Sequence, residues 1–292
     1  MKLVTFTQSG STRIGILDND AVVDLSVAAP DLPTEMCAFL EAGSSALDTA
    51  KQAAGNTTAR LALSAVKLEA PILRPPKILA VGLNYKDHIA ETGRDAPKFP
   101  MIFNKQSTSV TGPGGVIHLP RVSDKLDYEG ELAVVIGRRC RHVPKSRAAE
   151  VIVGYTIAHD VSVRDWQRRV PTFTMGKSFD THCPLGPCIV TADEIGDPHG
   201  LELQTWVNGE SRQHSNTREL LFDCFDLVEH LSTAFTLEPG DIISTGTPGG
   251  VGVAMNPPKY LKAGDVVKIS IAKIGTLENQ VIAEPEGTAR IL

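Results

Sequence analysis

Two acids stand two residues apart at the start of an otherwise apolar run, Asp127-Tyr128-Glu129-Gly130-Glu131-Leu132-Ala133-Val134-Val135-Ile136. This stretch constrains the fold more than any other, because the run has the composition of a buried strand. Residues i and i+2 of a strand face the same side. Glu129 and Glu131 would then share an apolar wall, which raises the pKa of both carboxyls unless a cation offsets their repulsion. A hard divalent metal supplies that cation, since it takes carboxylate oxygens, and Mg2+ commonly keeps positions open for substrate. The alternative reading is a solvated strand end.

The rest of the chain reads as strands with few helices. Residues 2–25 alternate in short apolar stretches broken at Ser9-Gly10-Ser11 and Asp18-Asn19-Asp20, a pattern of hairpins with polar turns. Residues 35–68 are rich in Ala and Leu, with helices expected over 36–41 and 45–54, and they stop at Pro71 and Pro75-Pro76. A boundary near residue 70 separates a small N-terminal α+β domain, 1–70, from a β-rich second domain, 71–292. Within the second, Ile78-Leu79-Ala80-Val81-Gly82 suits a buried strand, and Asn84 is expected to cap a short helix that Gly93 ends. The polar stretch 92–100 reads as a mobile loop. Further strands are expected over 129–137, 151–159, 188–191, 202–207, 242–245, 266–272 and 276–282. One long helix is expected from Leu220, Cys224, Leu227, Val228, Leu231 and Phe235 at helical spacing, with Asn216 and Glu219 as a capping pair. Strands dominating over a single long helix argue against regular βαβ winding and for a mixed α+β fold. No internal repeat is present.

Composition narrows the function. Among 292 residues, 29 Lys and Arg against 34 Asp and Glu give a net charge of -5, which argues against a large nucleic-acid footprint. An apolar fraction of 42% and a charged fraction of 22% belong to a folding, globular chain. The five cysteines form an odd set without a CxxC pair or a Cys/His zinc spacing, so they read as reduced thiols of a cytoplasmic protein. The apolar start is too short for a signal peptide, and the charge-free stretch 242–258 is full of Gly and Pro, so no membrane span is expected.

Several other groups can carry chemistry. Asp160 closes a second apolar run, 151–160, and can add a third carboxylate to Glu129 and Glu131; its alternative is an acid at the start of a helix over 162–169. On that helix Arg164 and Gln167, three apart, face one way and can bind an anion; the alternative is a pair of surface residues. His88 and Glu91 are also three apart, so the carboxylate can fix the imidazole tautomer while the other ring nitrogen takes a proton from water. The alternative is an exposed polar face. The loop after them is a possible lid. Lys177 follows Gly176, and Thr245-Gly246-Thr247-Pro248-Gly249-Gly250-Val251-Gly252 has little side-chain bulk, so its N–H groups can meet an anion; the alternative for each segment is a plain turn. It is neither GxxxxGK[ST] nor GxGxxG. Cys183 and Cys188 read as structural.

Taken in order, these segments resemble the fumarylacetoacetate hydrolase superfamily over nearly all of residues 71–285. The matching stretches are Val81-Gly82-Leu83-Asn84-Tyr85-Lys86-Asp87-His88, Tyr128-Glu129-Gly130-Glu131-Leu132, Asp160-Val161-Ser162-Val163-Arg164-Asp165-Trp166-Gln167, Gly176-Lys177-Ser178-Phe179-Asp180 and the Gly-rich 245–252. The resemblance implies a catalytic domain of rolled mixed β-sheet, a smaller N-terminal domain and a homodimer. It implies Glu129, Glu131 and Asp160 as ligands of Mg2+ or Mn2+, and His88 and Glu91 as the water-activating dyad of the acylpyruvate-hydrolase-like branch. Lys177 joins the catalytic set, and Arg164, Gln167, Thr247 and Lys105 the substrate contacts. Lys105 is followed here by Gln106, where many members have Pro.

The implied reaction is metal-dependent hydrolysis of a C–C bond in a 2,4-dioxo acid, releasing pyruvate or a related 2-oxo acid, with the metal as Lewis acid and Lys177 supporting the developing charge. The alternatives are tautomerisation of a hydroxymuconate-type substrate and decarboxylation of oxaloacetate, which need the same site. A non-enzymatic binder of 2-oxo acids is a further alternative, one that would not need the base His88.

Overall fold

A computed structural model describes residues 1–287. Its framework is a twelve-stranded mixed sheet. From one side it runs through Arg60–Ala62, Ala21–Asp24, Ser11–Asp18 and Lys2–Gln8, then Cys183–Thr191, Ile152–His159, Gly130–Ile136, Ile242–Ser244, Ile78–Gly82 and Met101–Lys105. Most neighbours are antiparallel, but Ile242–Ser244 runs parallel to Ile78–Gly82. A second, five-stranded sheet holds Glu210–Asn216, Glu202–Val207, Val266–Ile271, Gly275–Ala283 and Val116–Leu119. The mixed α+β fold expected from the sequence is the one observed, with helices few and short.

The strand that opened the argument is buried along its whole length. Its alternate residues feed two cores. Leu132, Val134 and Ile136 pack with Leu203, Ile269 and Ile271 of the second sheet, while Ala133 and Val135 pack with Leu3, Ile14 and Phe39 from the N-terminal part. A strand covered on both faces has no polar alternation, which is why 132–136 is continuously apolar. The first strand pairs Lys2 with Val190 and Leu3 with Ile189, so the sheet runs from the first seventy residues into the rest of the chain.

Both N-terminal hairpins turn where the polar residues stand, with Ser9 and Asn19 at positive φ. The helices expected there are Met36–Glu41 and Ser44–Ala53. Two capping assignments are corrected. The long helix is Cys224–Ala234, and its capping box is Asp223 with Asp226; Asn216 instead caps the single turn Thr217–Glu219. The cause lies in Asn84, which the sequence suggested as a cap of the Lys86–Thr92 helix. Its buried amide donates to the Phe222 and Thr245 carbonyls at 3.0 and 2.7 Å and accepts from Phe222 N–H at 2.9 Å. Residues 220–222 are thereby held out of the helix, and Tyr85 takes the cap position of Lys86–Thr92 without a side-chain bond. Gly93 ends that helix in the left-handed conformation, as expected. Among the described residues no helix is long and apolar enough to cross a membrane.

Candidate active site

Backbone pairing builds the acidic wall. The register sets Gly130 opposite His159 and Glu131 opposite Ala158, and Asp160 N–H donates to the Glu129 carbonyl at 2.9 Å. The ends of two adjacent strands therefore bring Glu129, Glu131 and Asp160 together, with one oxygen of each within 4.8 Å of the others. The alternatives for these residues fall away: all three are buried, and Asp160 heads no helix, since the helix after it is only Arg164–Gln167.

Cations are packed around this cluster. Lys177 Nζ lies 2.7 Å from Glu129 and 2.6 Å from Asp160. Lys105 Nζ is 2.6 Å from the other Asp160 oxygen. It also reaches the Lys177 carbonyl and lies behind the triad. Arg164 bridges Asp127 at 2.8 Å and Glu129 at 2.7 Å, and donates to Gln167 Oε1 at 3.0 Å. Burial opposes the charge of Lys177, but Asp160 and Glu129 outweigh it and hold the ammonium above its ordinary range. Burial likewise opposes ionisation of Glu129, and Lys177 and Arg164 win, leaving its carboxyl well below the usual carboxylate range.

Glu131 is the exception. Its carboxylate accepts from Ser244 Oγ at 2.5 Å and from Gly246 N–H at 2.9 Å, both neutral donors. Burial first, then the charges of Asp160 and Glu129, push its carboxyl up to about 8. Four carboxylates, Asp127 included, face three cations, and the uncompensated one is Glu131. Three convergent buried oxygens with one negative charge in excess fit a divalent cation. Glu129, Glu131 and Asp160 are the residues that would hold it.

The base lines the same cavity as Glu129 and Glu131. His88 Nδ1 lies 3.1 Å from Glu91 Oε2, which leaves Nε2 as the ring nitrogen for a substrate or water proton. Glu91 Oε1 accepts from Gly250 N–H at 2.9 Å, and Asp87 accepts from Gly249 N–H and from Ser215 Oγ. The glycine-rich loop does meet anions through its N–H groups, as the sequence suggested, but they are the protein's own carboxylates. Gly252 and Val253 donate in the same way to Asp127 at 2.8 and 2.9 Å. Glycine is needed at 250, where φ is +99° and a Cβ would strike the Arg212 carbonyl.

His88, Glu129, Glu131, Arg164, Gln167, Lys177 and Thr247 line one cavity of about 140 Å³. Such a volume suits a small acid, being below the roughly 300–1,000 Å³ of pockets for drug-sized ligands. Thr247 presents a hydroxyl already engaged, donating to the Gly130 carbonyl at 3.0 Å and accepting from Gln213 at 2.8 Å. Lys105 belongs to the charge cluster and not to the cavity lining. Two structural partners escaped the sequence reading. Asp127 has the strand parity of Glu129 and Glu131, a signal that was available. Gln213, which donates to Thr247 and accepts from Gly130 N–H, comes from the other sheet and leaves no local trace.

Comparison with known proteins agrees with this geometry. A mitochondrial oxaloacetate tautomerase of Xenopus laevis is 46% identical over 288 residues, covering 97% of this chain and 90% of the relative. The oxaloacetate tautomerase YisK of Bacillus subtilis is 48% identical over 223 residues, 75% of this chain and 74% of the relative. A crystal structure of maleylpyruvate hydrolase from Sphingobium sp. SYK-6, in complex with manganese(II) and pyruvate, superposes with a TM-score of 0.82 at 32% identity, covering 98% of this chain and all of that one. The fumarylacetoacetate (FAA) hydrolase C-terminal family matches residues 77–282, a span holding the triad, the dyad and the loop that joins them. The chain belongs to the fumarylacetoacetate hydrolase family.

Proposed function

We propose that the protein catalyses the metal-dependent enolisation of a small 2-oxo acid, with keto–enol tautomerisation of oxaloacetate as its reaction. The observation that carries this reading is that His88, a base held by its orienting carboxylate Glu91, lines the same small cavity as Glu129 and Glu131 of the acidic triad. The two oxaloacetate tautomerases that resemble this chain at 46% and 48% identity support the choice of substrate.

A divalent cation bound by Glu129, Glu131 and Asp160, Mg2+ or Mn2+, would polarise the substrate's oxo group. His88 takes a proton from the carbon next to that group and returns it to the oxo oxygen, so the conversion needs no other reactant. Glu91 steadies the imidazolium formed in between. Lys177 supports the oxygen on which negative charge develops. Arg164 and Gln167 hold the first carboxylate, Lys105 keeps Asp160 and Lys177 in position, and Thr247 closes the wall. The catalytic domain, 71–292, carries all of these. The proposal extends to a homodimer and to a reducing, cytoplasmic location, which suits five free cysteines; the Xenopus relative is a mitochondrial protein by name.

Hydrolysis of a C–C bond in a 2,4-dioxo acid is the second reading, favoured by the maleylpyruvate hydrolase likeness and by a base able to activate water. One experiment separates them: incubation with oxaloacetate and with acetylpyruvate, each with Mg2+ or Mn2+ and with EDTA, followed by enol absorbance and mass spectrometry. Enol decay of oxaloacetate at unchanged mass, lost with EDTA, is the expected result. Two fragments from acetylpyruvate without effect on oxaloacetate enol would install the hydrolase, and release of CO2 the decarboxylase.

A further inference from the structure

The basic side chains lining the cavity are His88, Arg94, Arg164, Arg168 and Lys177. Three of them are committed within the protein, His88 to Glu91, Arg164 to Asp127 and Glu129, and Lys177 to Glu129 and Asp160. Arg94 and Arg168 differ. Among the described residues neither side chain has a carboxylate or a hydrogen-bonding partner. They reach the cavity from two separate turns: Arg94 follows Gly93 at the end of the helix that carries His88 and Glu91, and Arg168 caps the helix that carries Arg164 and Gln167. The next residue, Arg169, is occupied otherwise, lying 3.7 Å over the Trp166 ring.

Unpaired arginines are ordinary on a surface, and both of these are exposed, but they line the cavity of the triad beside the apolar Met101, Phe103 and Phe173. A carboxylate entering this cavity meets the negative charges of Glu129 and Glu131 and needs a cation beside it. The guanidinium fork matches a carboxylate in shape as well as charge. We propose that Arg94 and Arg168 bind the second carboxylate of a dicarboxylic 2-oxo acid, so that the site selects dianions over monocarboxylic 2-oxo acids. This assignment rests on the functional reading above, in which the first carboxylate and the oxo group lie at the triad end.

The test is calorimetric binding to the Mn2+-loaded protein of pyruvate, of oxalate, and of 3,3-difluorooxaloacetate, which has no C3 hydrogen and cannot enolise. Wild type should bind difluorooxaloacetate at least about tenfold more tightly than pyruvate, the scale of one charge-assisted contact. Replacing both residues, R94Q with R168Q, should bring that ratio close to one while oxalate, which spans only the triad end, binds as before; R169Q should leave the ratio intact. A preference that survives the double substitution, or is missing from wild type, overturns the assignment. Failure of the functional reading looks different: wild type would prefer the dianion and lose the preference with both arginines, yet leave the enol absorbance of oxaloacetate unchanged.

Discussion

Glu129, Glu131 and Asp160 stand on strand ends inside the large sheet and are 6%, 1% and 1% exposed. His88 and Glu91 stand on a seven-residue helix, with side chains 12% and 25% exposed. Backbone pairing fixes the first group, since the register that aligns Gly130 with His159 also places Asp160 beside Glu129. The second group is held by hydrogen bonds from Gly249, Gly250 and Ser215 to Asp87 and Glu91. The difference teaches how one small cavity divides its work. Convergent carboxylates need a rigid frame and packed cations, here Lys105, Lys177 and Arg164, to stay together against their repulsion, whereas a base needs only one orienting partner and access to a proton.

That division is open to attack by substitution. The largest effect should come from Asp160→Asn, which removes a ligand and leaves Lys105 and Lys177 with less negative charge to pair with; Mn2+ affinity should fall by more than about a hundredfold. Titration of Mn2+ by calorimetry checks it, and unaltered affinity would dissolve the acidic wall as a metal centre. His88→Ala should lower turnover by about 10²–10⁴-fold while Mn2+ binds as in wild type. Parallel loss of metal binding would show that the two groups are one unit.

Asn84 ties the start of the base-bearing helix to the Thr245 carbonyl and to Phe222. Asn84→Ala leaves those buried groups without partners and should cost about 3 kcal/mol of stability, read as a lower urea midpoint at constant slope. A change below about 0.5 kcal/mol would mean that the helix is anchored elsewhere.

The smallest effect concerns protons. Burial pushes the imidazoles of His182 and His159 down to about 3. Unfolded, each would take up a proton below about 6.5; folded, each stays neutral until about 3. Their stabilising contribution is therefore complete above pH 6.5 and declines as pH falls toward 3, each by up to about 1.4 kcal/mol per pH unit. His182→Leu should flatten the fall of stability between pH 6 and 4 by roughly one such slope. An unchanged slope would place a charged or solvated imidazole behind the acidic wall.

Much of this was legible along the chain. The i, i+2 spacing of Glu129 and Glu131, the acid closing the 151–160 run and the i, i+3 pair His88 and Glu91 each gave local geometry, because strand and helix periods fix which neighbours share a face. The hairpins and the glycine end of the base-bearing helix were readable for the same reason. Asn84 was misjudged because its amide bonds to residues more than a hundred positions away, and local pattern favours a cap at any Asn before a helix. The long helix was started too early for the related reason that Leu220 belongs to an extended segment held by Asn84.

By itself, then, the sequence determined which residues carry charge, which strands are wholly buried and which side chains lie together on one strand or helix, all of them consequences of short-range backbone periods. Only the tertiary structure decided that the glycine-rich loop spends its N–H groups on Asp87, Glu91, Asp127 and Glu131, that Lys105 stands behind the triad, and that Arg94 and Arg168 share a cavity without partners among the described residues. Those facts depend on which distant segments meet, and that is set by sheet register and by the requirement that every buried polar group find a partner.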